Sequence, residues 1–516
     1  MVVNPATKEI ILHLKHPDKI TKTIPTSTTV DHKGKTLVRV PHRTPECKLL
    51  QNLGFDPPHP IDYYYDWPGQ YTPMEAQRAT VRFLSLYNRA YCLNGLGVGK
   101  TISALWAYDF LRSEQSAGSL LVIAPLSTLE RTWGDELFRH FPHLSFTVLH
   151  GTRAQRLQKL EEDHDVYIIN HDGVKIITQE IAKHPAIDSI VIDELSQVAR
   201  NASTNRWKAL RDVVTKRERV WGMTGTPTPN APTDAWAQCR LLTPSTVPSF
   251  FAQWRAQTME EVNQYKWVPK ENALELVEQA MSPAIRFKRE DCMDLPPVMY
   301  ETRSVPLTPD QEKLYKDMEK TLYAQFKGGE ITAVNAAVKV MRLVQIASGA
   351  AYDPHKKPVL ILPKPRVQAL LDIIEEAASK VIVFVPFRAS LEMIAEELAK
   401  HTTVEKIHGG VGKTERDRVF GAFQRGEHPQ VLVAQPAAMS HGLTLTAASV
   451  IVWYAPVTSA ETYEQANARI TRPGQKHAQL IAHIEGSPAE RNIYKSLTQK
   501  TSMQNDLLEL FISNRG

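Results

Sequence analysis

Residues 90–101, AYCLNGLGVGKT, decide how the rest of the chain is to be read. The common phosphate loop is written G-x-x-x-x-G-K-[ST], and counting back from Lys100 puts Asn94, not glycine, at its first position. The groups that would touch a phosphate are nonetheless there. Gly97 and Gly99, flanking Val98, let backbone N–H groups come close to an anion, Lys100 adds a point charge, and Thr101 adds a hydroxyl suited to Mg²⁺. The preceding RAYCL reads as a buried strand, and TISALWAYDFLRS carries apolar residues at helical spacing. Strand, loop and helix N-terminus in that order make an anion site, whereas a glycine-rich turn with a chance lysine needs no such flanks.

A chain of 516 residues exceeds one ordinary core, so two large domains with an accessory piece are expected. Hydrophobic residues at 42% and charged residues at 23% exclude wholesale disorder, and no run reaches the roughly 18 to 20 apolar residues of a membrane helix. The opening MVVNPATKEIILHLKHPDK lacks the apolar core of a secretory signal, so a cytoplasmic place is expected, nucleoid-associated or in a host cytoplasm if the chain is viral. Cys47, Cys92, Cys239 and Cys292 lie far apart and match no zinc spacing, which fits a reducing compartment and no structural metal. The net charge of +5 is unevenly placed: residues 1–50 hold nine Lys/Arg against four Asp/Glu, and the remainder holds 52 of each sign. The N-terminal fifty residues are therefore the stretch suited to an acidic polymer.

KTIPTSTTVDHKGKTLVRVPHR, residues 22–43, reads as a β-hairpin with a basic tip, and a Pro-rich connector closes a β-rich accessory module at 1–66. Between 67 and 245, the apolar runs LLVIAP, VYIIN, SIVIDE and VWGMTGTP alternate with helical patterns, as central strands of a parallel sheet do. Helical stretches such as TPDQEKLYKDMEKTLYAQF dominate 246–355, which is read as a helical insertion and linker. Alternation resumes over 356–500 with KVIVFVPF, QVLVAQP, SVIVWYAP and AQLIAHI, giving a second α/β lobe, and 501–516 reads as a helix bracing the lobes.

SIVIDE delivers Asp193 and Glu194 at a strand's carboxyl end, where ligands of open parallel sheets sit. Asp193 suits Mg²⁺, and Glu194 suits orienting and deprotonating a water for in-line phosphoryl transfer. A strand-end acidic pair alone is more often a helix cap. Downstream, QANARITRPGQ spaces Arg469 and Arg472 one helical turn apart, so both can reach one phosphate.

With these pieces the chain resembles a Swi/Snf-type ATPase of helicase superfamily 2, from about residue 71 to residue 500. YTPMEAQRATVRFL resembles the adenine-reading glutamine motif through Gln77; GLGVGKT, LVIAPLSTLERTWGDELFRHFP, IDELSQVARN and GMTGTPTPN resemble motifs I, Ia, II and III. In the second half VIVFVPFRASLEMI, MSHGLTLTAASVIVWYAP and YEQANARITRPGQ resemble motifs IV, V and VI, and RFKREDCMDLPP also looks like the family's. The resemblance implies two RecA-like parallel-sheet lobes, with the helical insertion and the β-rich module added, and it implies ATP and Mg²⁺. Lys100, Asp193, Glu194, Arg469 and Arg472 are then the catalytic set; Gln77, Gly97, Val98, Gly99, Lys100, Thr101 and Gly442 hold the nucleotide; Thr101 and Asp193 hold the metal. Thr224, Gly225 and Thr226 resemble the motif linking hydrolysis to lobe movement, and Gly442 and Leu443 the turn that meets both nucleic acid and cleft.

Three departures stand out. Asn94 and Gly95 replace the family's acidic pair, Ser196 replaces the histidine of its D-E-x-H motif, and Pro473 interrupts motif VI. None removes a group that holds phosphate, metal or water. The function the resemblance implies is a monomeric DNA-dependent ATPase that translocates on double-stranded DNA through sequence-independent phosphate contacts and remodels DNA structures or protein–DNA complexes. The alternative is a strand-separating or annealing helicase acting on forked or single-stranded DNA, its basic hairpin meeting the junction. A non-hydrolysing adaptor is disfavoured because every charged group of the ATP site is in place.

Overall fold

The structure, a computed structural model, describes residues 1–516 apart from 33, 264–265, 293–294, 328–332, 353–356, 440–443, 473 and 514–516. Gly442, Leu443 and Pro473 therefore lie outside the described residues.

At the N-terminus, β1 (Val2–Asn4), β2 (Glu9–His13), β3 (Thr28–His32) and β4 (Lys35–Pro41) form an antiparallel sheet in the order β1-β2-β4-β3. Period-two alternation sends Ile10, Leu12, Val38 and Val40 inward, where they meet Ile20, Ile24 and Leu50. The hairpin expected over 22–43 is shorter than its pattern, because Lys22 and Thr23 end the helix Asp18–Thr23. Thr44 Oγ1 donates to Glu114 Oε2 at 2.7 Å, which ties this module to the first lobe.

That lobe holds β5 (Arg89–Cys92), β6 (Ser119–Ala124), β7 (Phe146–Val148), β8 (Val166–Asn170), β9 (Ile187–Asp193) and β10 (Arg219–Met223). A small hairpin, β11 (Met259–Asn263) with β12 (Lys266–Pro269), follows, and then β13 (Ala284–Ile285). The parallel sheet runs β13-β5-β10-β9-β6-β8-β7. Helices cover both faces, so central strands are apolar throughout: Ile190 and Ile192 of β9 enter one core and Val191 the other.

The second lobe begins with β14 (Val298–Ser304), and β15 (Ala350–Tyr352) and β16 (Pro358–Leu360) form a side ladder. With β17 (Lys380–Phe384), β18 (Val404–Ile407), β19 (Val431–Ala434), β20 (Ala448–Trp453) and β21 (Gln479–Glu485), its parallel sheet runs β14-β21-β20-β17-β19-β18.

The expectation of a helical insertion over 246–355 is corrected here. Helices Pro309–Lys327 and Ala333–Ala347 are present, but the segment also supplies β13, the last strand of the first sheet, and β14, the first strand of the second. β13 is two residues long, and β14 is an edge strand with Met299 and Tyr300 exposed, so neither shows the continuous apolar run of a central strand. The helix Pro488–Ser513 packs Ile493, Tyr494 and Leu497 in the second lobe and buries Leu507 in the core of the first.

One ion pair holds the base of this last helix. Arg366 and Glu490 are 1% and 0% exposed at 2.8 Å, Arg366 also donates to the Tyr454 carbonyl, and Glu490 accepts from Gly486 N and Ser487 Oγ. Arg366→Ala leaves a buried carboxylate without its cation and is expected to cost about 3–5 kcal/mol, read as an earlier urea transition. Arg366→Met combined with Glu490→Leu should recover most of that loss.

Candidate active site

The phosphate loop leaves β5 at Cys92 and returns as the helix Lys100–Ser113. Gly97 and Gly99 have φ of +88° and +82°, left-handed backbone that glycine adopts without strain, and Val98 N between them donates to the Gly95 carbonyl at 3.4 Å. A Cβ on Gly99 would lie 2.3 Å from Gln77 Nε2. Gln77 itself donates to the Val98 carbonyl at 3.2 Å and accepts from Met74 N at 2.9 Å, so its helix is fastened to the loop. Lys100 Nζ donates to the carbonyls of Asn94, at 2.9 Å, and Gly95, at 3.3 Å. Burial lowers its pKa, against the opposing pull of Glu194 and Asp193.

Those two carboxylates end β9. Asp193 Oδ2 accepts from Trp133 Nε1 at 3.1 Å, its Oδ1 accepts from Glu194 N at 3.1 Å, and its carbonyl accepts from His171 Nε2 at 2.8 Å. Glu194 turns the chain at φ +50°, ψ +51°, a left-handed conformation that a β-carbon disfavours and that surrounding structure must impose. Burial raises the pKa of both carboxyls, and for Glu194 the neighbouring Asp193 charge adds to it while Lys100 and Arg469 oppose it. Ser196, where the resemblance expects histidine, is fully buried and exchanges a 2.9 Å hydrogen bond with Thr224 Oγ1, which also accepts from Thr226 N. The link between the acidic turn and the Thr-Gly-Thr turn is thus made by two hydroxyls.

The second lobe brings Arg469 and Arg472 to the same cleft. Arg469 is 2% exposed, and Arg472 Cδ lies 3.8 Å from where a Cβ on Gly97 would stand. Burial lowers the pKa of each; Arg472 adds repulsion on Arg469, and Glu194 opposes the shift at both. The structure therefore gathers Gln77, Gly97, Val98, Gly99, Lys100, Asp193, Glu194, Arg469 and Arg472 around one space, with Thr101 in the first turn of the helix behind Lys100.

Three further residues belong here that motif reading did not single out. Arg286 donates to the Leu93 carbonyl at 2.6 Å, Arg289 donates to the Thr471 carbonyl at 3.3 Å, and Glu461 faces Arg200 across the lobes at 3.9 Å. The cation-rich RFKRED was the signal in the sequence for the two arginines, and Glu461 had none.

Among the described residues no group of three or more His, Cys, Asp or Glu could hold a metal, so a metal here must take oxygens from elsewhere. Asp193 and Thr101 would offer one carboxylate and one hydroxyl, donors that suit a hard cation taking its remaining oxygens from phosphate or water. No helix among the described residues is long and apolar enough to cross a membrane.

A second concavity, of about 620 Å³, opens between the lobes and is lined by Arg131, Arg206, Lys413 and Arg416, by His150 and His171, and by the acids Glu130, Asp172 and Asp417. Ion pairs Arg131–Asp417 and Lys413–Glu130 cross it.

The SNF2-related domain family matches residues 77–349, and the helicase conserved C-terminal domain family matches 365–474. A putative protein of Acyrthosiphon pisum secondary endosymbiont phage 1 is 25% identical over 462 residues, covering 85% of this chain and 98% of its own. A SWI/SNF-related, matrix-associated, actin-dependent regulator of chromatin subfamily A-like protein of Xenopus laevis is 26% identical over 429 residues, 80% of this chain and 41% of its own. A putative ATP-dependent helicase/translocase of Bacillus subtilis is 25% identical over 443 residues, 81% of this chain and 46% of its own. This chain thus spans less than half of the frog and Bacillus proteins. The solved Sulfolobus solfataricus SWI2/SNF2 ATPase core in complex with dsDNA aligns with a TM-score of 0.43 at 22% identity, covering 86% of this chain and 94% of that one.

Two substitutions test the geometry. Gly99→Ala sets a methyl against Gln77 in a left-handed backbone and is expected to lower kcat/KM for ATP at least about a hundredfold with the circular dichroism spectrum retained. Thr224→Val removes the partner of both the buried Ser196 hydroxyl and Thr226 N and should cost about 1–3 kcal/mol in denaturant titration, of which adding Ser196→Ala recovers only the hydroxyl's part.

Proposed function

From the premise that this chain belongs to the SNF2-related family of ATP-hydrolysing helicase-type enzymes, we propose that it is a motor that tracks along double-stranded DNA and remodels DNA structures or protein–DNA complexes. The observation that carries this reading is the bonding of Asp193. Its carboxylate is held by Trp133 and its carbonyl by His171, and both belong to the wall of the inter-lobe groove: His171 lines it directly, and Trp133 sits in the turn Leu129–Gly134 whose Leu129, Glu130 and Arg131 line it. A change of charge at the ATP site therefore pulls on the groove.

In this reading Lys100 and the loop N–H groups hold the β- and γ-phosphates, while Gln77 stands beside the adenine. Glu194 orients the attacking water and takes its proton. Arg469 and Arg472 reach from the second lobe to the γ-phosphate, so the lobes close on ATP and reopen once phosphate leaves. Mg²⁺, held by Asp193 and Thr101, would neutralise phosphate charge. Both halves of the site lie on one chain, so a monomer suffices. In the groove Arg131, Arg206, Lys413 and Arg416 meet backbone phosphates without regard to sequence.

A strand-separating or annealing action at forks is the second reading, and the N-terminal module favours it. Register sets His13 opposite Leu37 and His32 opposite Lys35, which gathers exposed Lys15, His32 and Lys35 at one end of that sheet.

Steady-state hydrolysis by the wild type and Glu194→Gln, without nucleic acid and with single-stranded, duplex and forked DNA and RNA, decides between them. Duplex is expected to stimulate strongly, with stimulation falling as salt rises, and Glu194→Gln should lose about 10²–10⁴-fold in kcat. Preference for forks or single strands selects the second reading, and activity with none overturns both.

A further inference from the structure

Residues 283–289 run beside the phosphate loop like an extra strand. Tyr91 N donates to the Pro283 carbonyl at 3.0 Å, Leu93 N to the Ile285 carbonyl at 2.8 Å, and Gly95 N to the Phe287 carbonyl at 2.9 Å. The buried Asn94 side chain clamps the two segments: its Oδ1 accepts from Phe287 N at 2.9 Å and its Nδ2 donates to Thr80 Oγ1 at 2.8 Å. At Gly95 the approach is closest, since a Cβ there would lie 3.1 Å from Arg289 N and 3.5 Å from Arg289 Cβ. The two departures from the family's acidic pair thus have one consequence: they let the strap bring an arginine to the lip of the loop.

The Arg289 side chain is 19% exposed, and its Nε is buried without a partner. Nη1 donates at 3.3 Å to the carbonyl of Thr471, the residue just before Arg472, and Nη2 meets Glu290, which is 66% exposed and turned to water. Arg289 also adds to the repulsion felt by Arg472. Lys100, Arg289, Arg469 and Arg472 therefore crowd a largely dry space faced by Asp193 and Glu194, an arrangement that a polyanion relieves. The strap has one more property: it is the chain that leads from β13 of the first sheet to β14 of the second.

We propose that Arg289 is a third guanidinium for the triphosphate, donating to a terminal phosphate oxygen of ATP and so tying the inter-lobe strap to the bound nucleotide. The proposal rests on the reading of this cleft as an ATP site. Because the contact is to the terminal phosphate, it distinguishes ATP from ADP.

The test compares full-length Glu194→Gln, which holds ATP unhydrolysed, with the same chain carrying Arg289→Ala, Arg289→Gln or Arg289→Lys, by titration with fluorescent ATP and ADP in Mg²⁺. Arg289→Ala and Arg289→Gln are expected to weaken ATP about tenfold, the loss of one charge-assisted hydrogen bond, and to leave ADP nearly unchanged. Arg289→Lys should restore part of the difference. Arg289→Gln keeps a donor for the Thr471 carbonyl, so recovery of ATP affinity in that variant would show a packing role and overturn the proposal. Equal losses for ATP and ADP, or none, would overturn it as well. If the Glu194→Gln parent bound neither nucleotide, the ATP-site reading itself would fail, an outcome distinct from a parent that binds both and variants that match it.

Discussion

Charge without water is the constraint on which this molecule turns. Lys100, Asp193, Glu194, Arg469 and Arg472 are carried by segments far apart in the chain, and each is desolvated where the lobes meet. Two carboxylates beside one lysine and two arginines leave an excess of positive charge, and burial makes every one of those charges expensive. Such a set persists only because two rigid sheets impose it, β5 and β9 from one lobe and the helix Ala460–Asn467 with its following turn from the other. The left-handed Glu194 is a local sign of the same imposition. A ligand bearing several negative charges is the natural complement, and in the proposed reading that ties ATP and lobe closure into one equilibrium.

The acidic turn and the Thr-Gly-Thr turn of this chain meet through small neutral groups where the family pattern has an imidazole. Ser196 and Thr224 bond hydroxyl to hydroxyl at 2.9 Å inside the core. Neither changes charge near neutral pH, so this link transmits position and not protonation. The Glu461 carboxyl, buried from the other lobe, faces Arg200, and its raised pKa is opposed by Arg200, Gln197 and Ser196, residues of the acidic turn and its flank. A cross-lobe contact is thereby present beside Ser196 without the histidine.

How much of this the sequence discloses depends on where each element sits. β6, β9, β17 and β20 are covered on both faces, so their apolar runs stand out. The two strands that join the lobes, β13 and β14, were hidden inside a segment that reads as helical, because one is too short and the other too exposed to leave a pattern. The site follows the same rule. Lys100, Asp193, Glu194, Arg469 and Arg472 sit in spacings that the chemistry itself requires, so they can be found one at a time. Arg289 becomes visible only when Gly95 is seen to admit the strap, a contact between residues that no local spacing connects.

The two sides of the lobe junction are held by interactions of different kinds, and that asymmetry suits a motor. On the groove side Lys413 and Glu130 pair in solvent at 66% and 63% exposed, and Arg131 and Asp417 pair at 54% and 26%. Pairs of that sort contribute about 0–1 kcal/mol and are screened by salt, so a phosphate backbone can replace the two acids at little cost. On the cleft side Glu461 is 5% and Arg289 19% exposed, against 35% for Arg200, so moving the two more buried members without a compensating anion is the costlier rearrangement. In the proposed reading the track is gripped and released readily while the nucleotide sets which lobe arrangement is stable, and the hydrogen bonds from Trp133 and His171 to Asp193 join the two sides.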